Sequence, residues 1–82
     1  MSAFTERGRA FNLEFGANVQ ERMAASGITL WGLSRKTGIP YSTLARKITE
    51  GTRVTVVDVV IIARALNVEP SDLLPSTVAH AA

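Results

Sequence analysis

Residues 29–48, TLWGLSRKTGIPYSTLARKI, leave this chain few ways to fold. Leu33 and Ser34 sit near the middle of one short helical pattern, Gly38 stops it, and Leu44 and Ile48 stand at i and i+4 of a second. Two helices joined by so tight a turn cross steeply. They need a small residue where their axes approach, supplied by Ser34, and a residue tolerant of positive φ at the corner, supplied by Gly38. Ile39 then fills the corner beneath both helices, and Pro40 fixes φ where the second one opens. Tyr41, Ser42, Ala45, Arg46 and Lys47 fall away from the seam of Leu44 and Ile48. That outward face suits a polyanion with readable edges, which is what duplex DNA presents.

The distribution of charge agrees with such a partner. The net charge is only +2, but Arg35, Lys36, Arg46, Lys47 and Arg53 face Glu50 alone between residues 35 and 53. That segment carries +4 and the remainder −2. A single basic face recruits phosphates by counterion release even when the total charge is small. The plain alternative is an ordinary solvated basic face.

At these residues the chain resembles the helix-turn-helix domains of phage repressors and Cro-like regulators. The core of the likeness is Leu33-Ser34-x3-Gly38-Ile39-x4-Leu44, and it extends over about residues 15–74. The resemblance implies an all-α, four-to-five-helix, lambda-repressor-like domain, and a cytoplasmic, nucleoid-associated protein of a bacterial host. By position in the motif, Tyr41, Ser42, Ala45 and Arg46 are expected at base edges. Arg46 can pair bidentately with guanine, Ser42 can serve a base or a phosphate, and Tyr41 can meet a thymine methyl or a phosphate. The same resemblance puts Thr29, Arg35, Thr43, Lys47, Thr52 and Arg53 at phosphates, with helix-start amides beside Thr29 as further donors. The sequence also departs from the family. Leu30 stands where glutamine is common, Trp31 and Gly32 replace polar residues, and Met23 and Ile48 occupy the places of a frequent arginine–glutamate pair. An apolar pair there avoids the desolvation cost of two charges.

Around this motif, periodicity sets out the rest. Phe4, Phe11, Phe15, Val19 and Met23 trace one apolar stripe, so a first helix is expected over residues 5–25, with a break or kink open at Gly8 or Gly16. Ser26-Gly27 ends it. Residues 1–11 read as an N-terminal helical extension preceding a DNA-binding domain over 12–75. The extension could track DNA through Arg7 and Arg9, could supply a dimer contact through Phe4 and Phe11, or could cover the core. Thr29 caps a second helix, whose Trp31 is expected to rest on the first helix near Phe11 or Phe15. A third helix ends at Thr49, and Gly51 turns the following loop. Thr55 with Asp58 makes a capping-box-like start for Val56–Leu66, whose core face is expected from Val56, Val59, Val60, Ile62, Ala63 and Leu66. Val57 and Ile61 lie on another side. Together with Phe4, Phe11 and Val54 they form the candidate homodimer or partner surface, packing by the extension being the competing use. Asn67 closes that helix, Pro70 opens a short fifth element, and residues 76–82, with His80, read as a flexible tail.

Several classes of function find no support. At 82 residues there is room for one domain, burying about 60–65% of its unfolded surface. No cysteine is present, which removes disulfides, thiolate metal sites and cysteine nucleophiles and fits a reducing compartment. No carboxylates pair at catalytic spacing, no glycine-rich loop could cradle a phosphate, and the single histidine lies in the tail. The expectation is therefore no enzyme, no cofactor and no metal. Glu6, Arg7 and Arg9 interrupt any leader-like run near the start, and the most apolar window, residues 54–66, is too short and too polar to span a bilayer. The sequence thus points to a transcriptional regulator that binds an operator in double-stranded DNA, as a phage-type repressor or Cro-like protein. The alternative is an antitoxin or accessory regulator whose main role is to bind a protein partner.

Overall fold

The computed structural model describes the backbone of residues 3–75 and the side chains of residues 8–75. The expectations for Phe4, Arg7 and the tail with His80 therefore lie outside the described residues. Four α-helices follow one another, α1 (Ala3–Ser26), α2 (Leu30–Thr37), α3 (Tyr41–Thr49) and α4 (Val56–Leu66), before a 3-10 turn, Pro70–Asp72. No strand occurs among the described residues, so the expected all-α class is the observed one.

Each helix boundary has a local cause. The α1 helix ends with Gly27 at φ 70° and an Ile28 N–H donated back to the Met23 carbonyl, the six-to-one bond that closes a helix in a left-handed residue. Thr29 then caps α2, its hydroxyl accepting from the Gly32 N–H at 3.0 Å. At the corner, Ser34 does more than keep the axes close: its hydroxyl donates to the Ile39 carbonyl at 2.6 Å, tying the end of the turn back onto α2. Thr55 and Asp58 form a complete capping box on α4, and Asn67 closes that helix at φ 58°.

The core is one cluster fed by every helix: Phe15 and Val19 from α1, Leu33 from α2, Leu44 and Ile48 from α3, Val59, Ile62, Ala63 and Leu66 from α4, and Leu73 after the 3-10 turn. Each large side chain among them stabilises the fold by about 1.5–3 kcal/mol through burial. Met23, Ile28, Leu30 and Ile39 pack around this centre. Asn18 holds the segment after the 3-10 turn in place, its amide donating to the Leu73 carbonyl at 3.0 Å.

Three expectations give way, the simplest being Val60, which is half-buried and lines a surface groove of α4 instead of entering the core cluster. Val56 does not join the core; it is 80% exposed, because the first residue of α4 sits one turn before Val59, the residue with which the buried seam of that helix begins. Nor does α1 break at its glycines. Gly16 is buried at the crossing of α1 and α3, where a Cβ would lie 1.9 Å from the Ile48 carbonyl oxygen and 2.8 Å from its carbon. Only a residue without a side chain lets the two backbones approach so closely. The residue that weakens α1 as an isolated helix is the one that lets α3 seat against it.

Candidate nucleic-acid interface

Burial of Leu44 and Ile48 orients α3, and the opposite face follows from that. Tyr41, Ser42, Thr43 and Arg46 are exposed and Ala45 is half-buried, so the residues expected at base edges share an outward surface with Ser42 and Arg46 one turn apart. At the start of this face stands a residue the sequence reading put elsewhere. Trp31 does not rest on α1; it is 60% exposed, with its ring centroid 5.7 Å from that of Tyr41 and the planes tilted by 49°. Trp31 in the first turn of α2 and Tyr41 at the start of α3 meet across the helical corner, and such tilted pairs are favourable in their own right. Ten residues separate Trp31 from Tyr41, so the sequence carried no local sign of the pairing, and the packing habit of tryptophan argued for a place against α1 instead.

Thr29 and Arg35 flank α2 at opposite ends, both exposed. Thr29 already accepts from Gly32 as a cap.

The loop after α3 is built with more care than its sequence suggests. Gly51 takes φ 68° and lies buried against α1, where a Cβ would sit 2.9 Å from the Asn12 Cβ. Asn12 donates its side-chain amide to the Gly51 carbonyl at 3.0 Å. The next turn contains a second left-handed residue, Arg53 at φ 48°, a conformation that costs an ordinary L-residue about 1–2 kcal/mol. Its carbonyl accepts from the Lys47 ammonium at 2.7 Å. The same ammonium lies 2.8 Å from Asp58 Oδ2, both side chains being only 13% exposed, and this is the one ion pair among the described residues. Asp58 Oδ2 accepts in turn from the Thr55 N–H at 2.9 Å. Burial by itself pushes the Asp58 carboxyl up, but the hydrogen bonds from Lys47 and Thr55 and the Lys47 charge outweigh it and hold the group below its ordinary value of 3.8.

Thr43, Arg46 and Lys47 of α3 meet Thr52 and Arg53 of this loop around a concavity of about 340 Å³. The structure thus brings together one residue expected at a base and four expected at phosphates. Lys47 enters this cleft already committed to Asp58 and to the Arg53 carbonyl. Asn12 and Asp58, which hold the loop, carried no signal for this role in the sequence, because their partners are 39 and 11 residues away.

The candidate partner surface divides. Phe11 and Val54 line an apolar groove of about 280 Å³ with Val56, Val59, Val60, Pro70 and Leu74. Val57, 63% exposed, and half-buried Ile61 lie outside its lining. Phe4 falls outside the described side chains. No described helix is long and apolar enough to cross a membrane.

The model of the Cro/C1-type HTH DNA-binding domain matches residues 18–75. The restriction-modification controller protein C.AhdI from Aeromonas hydrophila superposes with a TM-score of 0.71 at 26% identity, over 76% of this chain and 94% of that one. No curated protein sequence matches the chain.

Proposed function

This chain belongs to the Cro/C1-type HTH DNA-binding domain family and is a DNA-binding transcriptional regulator; we propose that within that class it works as a phage-repressor-like or Cro-like protein reading the major groove with α3. The observation that carries this reading is the shared outward face of Tyr41, Ser42 and Arg46, set beside the cationic concavity of Thr43, Arg46, Lys47, Thr52 and Arg53. Base edges need donors that project from a rigid rod, and the phosphates beside them need cations and hydroxyls at its margin. Both are present, in adjacent positions. Arg46 is the guanine reader, Ser42 and Tyr41 contact neighbouring base edges or thymine methyls with Ala45 close behind, and Arg53, Thr52 and Thr43 hold the strand. Thr29, the amides of the first turn of α2, and Arg35 serve the flanking backbone.

On this reading a homodimer binds a palindrome, with half-sites about 34 Å apart, and a monomer binds a single asymmetric site. The apolar groove with Phe11 and Val54, and exposed Val57 on α4, are the surfaces we assign to the homodimer contact.

Selection from a randomised duplex pool, followed by titration of the enriched duplex over a range of salt, tests the reading. A defined motif is expected to emerge, with affinity falling linearly on logarithmic axes as salt rises. Failure to enrich any motif refutes it, and a protein partner that co-purifies at fixed stoichiometry would favour the antitoxin-like or accessory role instead.

A further inference from the structure

Lys47 is the one member of the cationic cleft whose charge is already spoken for. Its ammonium makes two short contacts, 2.8 Å to Asp58 Oδ2 and 2.7 Å to the Arg53 carbonyl, and its side chain is only 13% exposed. A cation neutralised by a carboxylate in van der Waals range adds little to the field that a phosphate feels outside. Leaving that pair to meet DNA would strand Asp58 and the Arg53 carbonyl together, which opposes the exchange.

The second contact gives the pair a different task. Arg53 occupies the left-handed region without being glycine, and such a residue persists only where its surroundings hold it. The side that approaches α1 is held by Asn12 through the Gly51 carbonyl. The other side is held by Lys47, and Lys47 is aimed by Asp58, which is fixed in turn as the third residue of the α4 capping box. A chain of four hydrogen-bonded groups therefore runs from the start of α4 to the backbone of the loop arginine.

We propose that Lys47 and Asp58 are positioning residues, which set the backbone of Arg53 so that its guanidinium stands in the cleft beside Thr43 and Arg46, while Arg53 itself makes the phosphate contact. This rests on the DNA-binding reading above and deepens it, assigning Lys47 a supporting part where its position on α3 alone suggests a direct one. The two assignments differ in sign for one substitution. Asp58→Asn keeps a side-chain oxygen to accept from the Thr55 N–H, releases the Lys47 charge, and raises the net charge of the protein. If Lys47 is a direct phosphate ligand, that change tightens DNA binding; if it positions Arg53, the change weakens it.

The experiment measures affinity for the duplex that the wild-type protein enriches, with Asp58→Asn, Lys47→Met and Arg53→Gln singly and with the first two each combined with the third. Unfolding is followed in parallel, so that binding is compared only where each variant is folded. We expect Asp58→Asn and Lys47→Met each to weaken binding by about fivefold in the wild-type background and by less than about twofold once Arg53 is already glutamine, the coupling that a shared pathway requires. Should Asp58→Asn not fold, Lys47→Met carries the same comparison. Tighter or unchanged binding by Asp58→Asn, or an equal loss for Lys47→Met in both backgrounds, overturns the inference. A wild type that binds and is weakened by Arg53→Gln while ignoring Asp58→Asn overturns this inference alone; a wild type that binds no duplex overturns the functional reading and this one with it.

Discussion

Replacing Gly16 by alanine should damage this protein, although every rule of helix propensity says it should help. In an exposed helix interior, glycine to alanine gains about 0.8–1 kcal/mol. Gly8 provides that reference within the same helix, because a Cβ there meets nothing within 4 Å. At Gly16 the new carbon would lie 1.9 Å from the Ile48 carbonyl oxygen, 2.8 Å from its carbon and 3.2 Å from its Cα. Every one of those atoms is backbone, so no side chain can swing aside. To restore a contact of about 3 Å, α3 must retreat from α1 by roughly 1 Å, and overpacking against backbone that cannot swing aside falls in the upper part of the usual range, about 2–3 kcal/mol. The retreat also pulls on the Asn12–Gly51 hydrogen bond, which ties α1 to the loop that follows α3. Against the gain from propensity we expect Gly16→Ala to be net destabilising by about 1–2 kcal/mol, and Gly8→Ala to be stabilising by up to about 1 kcal/mol. Urea unfolding followed by far-ultraviolet circular dichroism reads both. Gly16→Ala as stable as the wild type, or gaining like Gly8→Ala, would refute the claim that α1 and α3 touch backbone to backbone.

Two further predictions follow from the site. Asp58 ionises at lower pH in the folded protein than in the unfolded chain, so the folded state binds fewer protons; the stability it contributes is complete above the ordinary value of 3.8 and fades as pH falls through the lower folded one. Asp58→Asn should therefore flatten the acid limb of a stability–pH curve below about pH 4, and an unaltered limb would contradict the assignment. Trp31, the single tryptophan, lies exposed beside Tyr41, so its emission should change in intensity and shift to shorter wavelength when the enriched duplex is added; an unaltered spectrum at saturation would place DNA on another face.

Much of the fold could be read from the chain because its signals are local. Gly38, Thr29, Thr55 with Asp58, and Asn67 each act within a turn of their own position, and the helices begin and end where those residues require. Leu44 and Ile48 were legible as a buried seam for the same reason, and with them the outward face of α3. What escaped depends on residues distant in sequence. Gly16 looks like a flaw in α1 until α3 is laid across it, and Asn12 is one polar residue among many until Gly51 arrives beneath it. Lys47 reads as a free cation until the start of α4 brings Asp58 to it. Trp31 went astray because burial is the usual fate of its ring, whereas the crossing of α2 and α3 offers it Tyr41 at the surface. Val56 shows that an apolar residue at a helix end need not reach the core its pattern points to.

The central claim is that Arg46 reads a base while Arg53 holds the strand, and one comparison tests it directly. Affinity of the wild type, Arg46→Ala and Arg53→Ala is measured on the enriched duplex and on its single-base variants, each at several salt concentrations. Arg46→Ala should lose about 1–3 kcal/mol and its discrimination at one base pair, whereas Arg53→Ala should weaken all the duplexes alike and lower the salt slope by about one unit. Discrimination kept intact by Arg46→Ala would contradict the account.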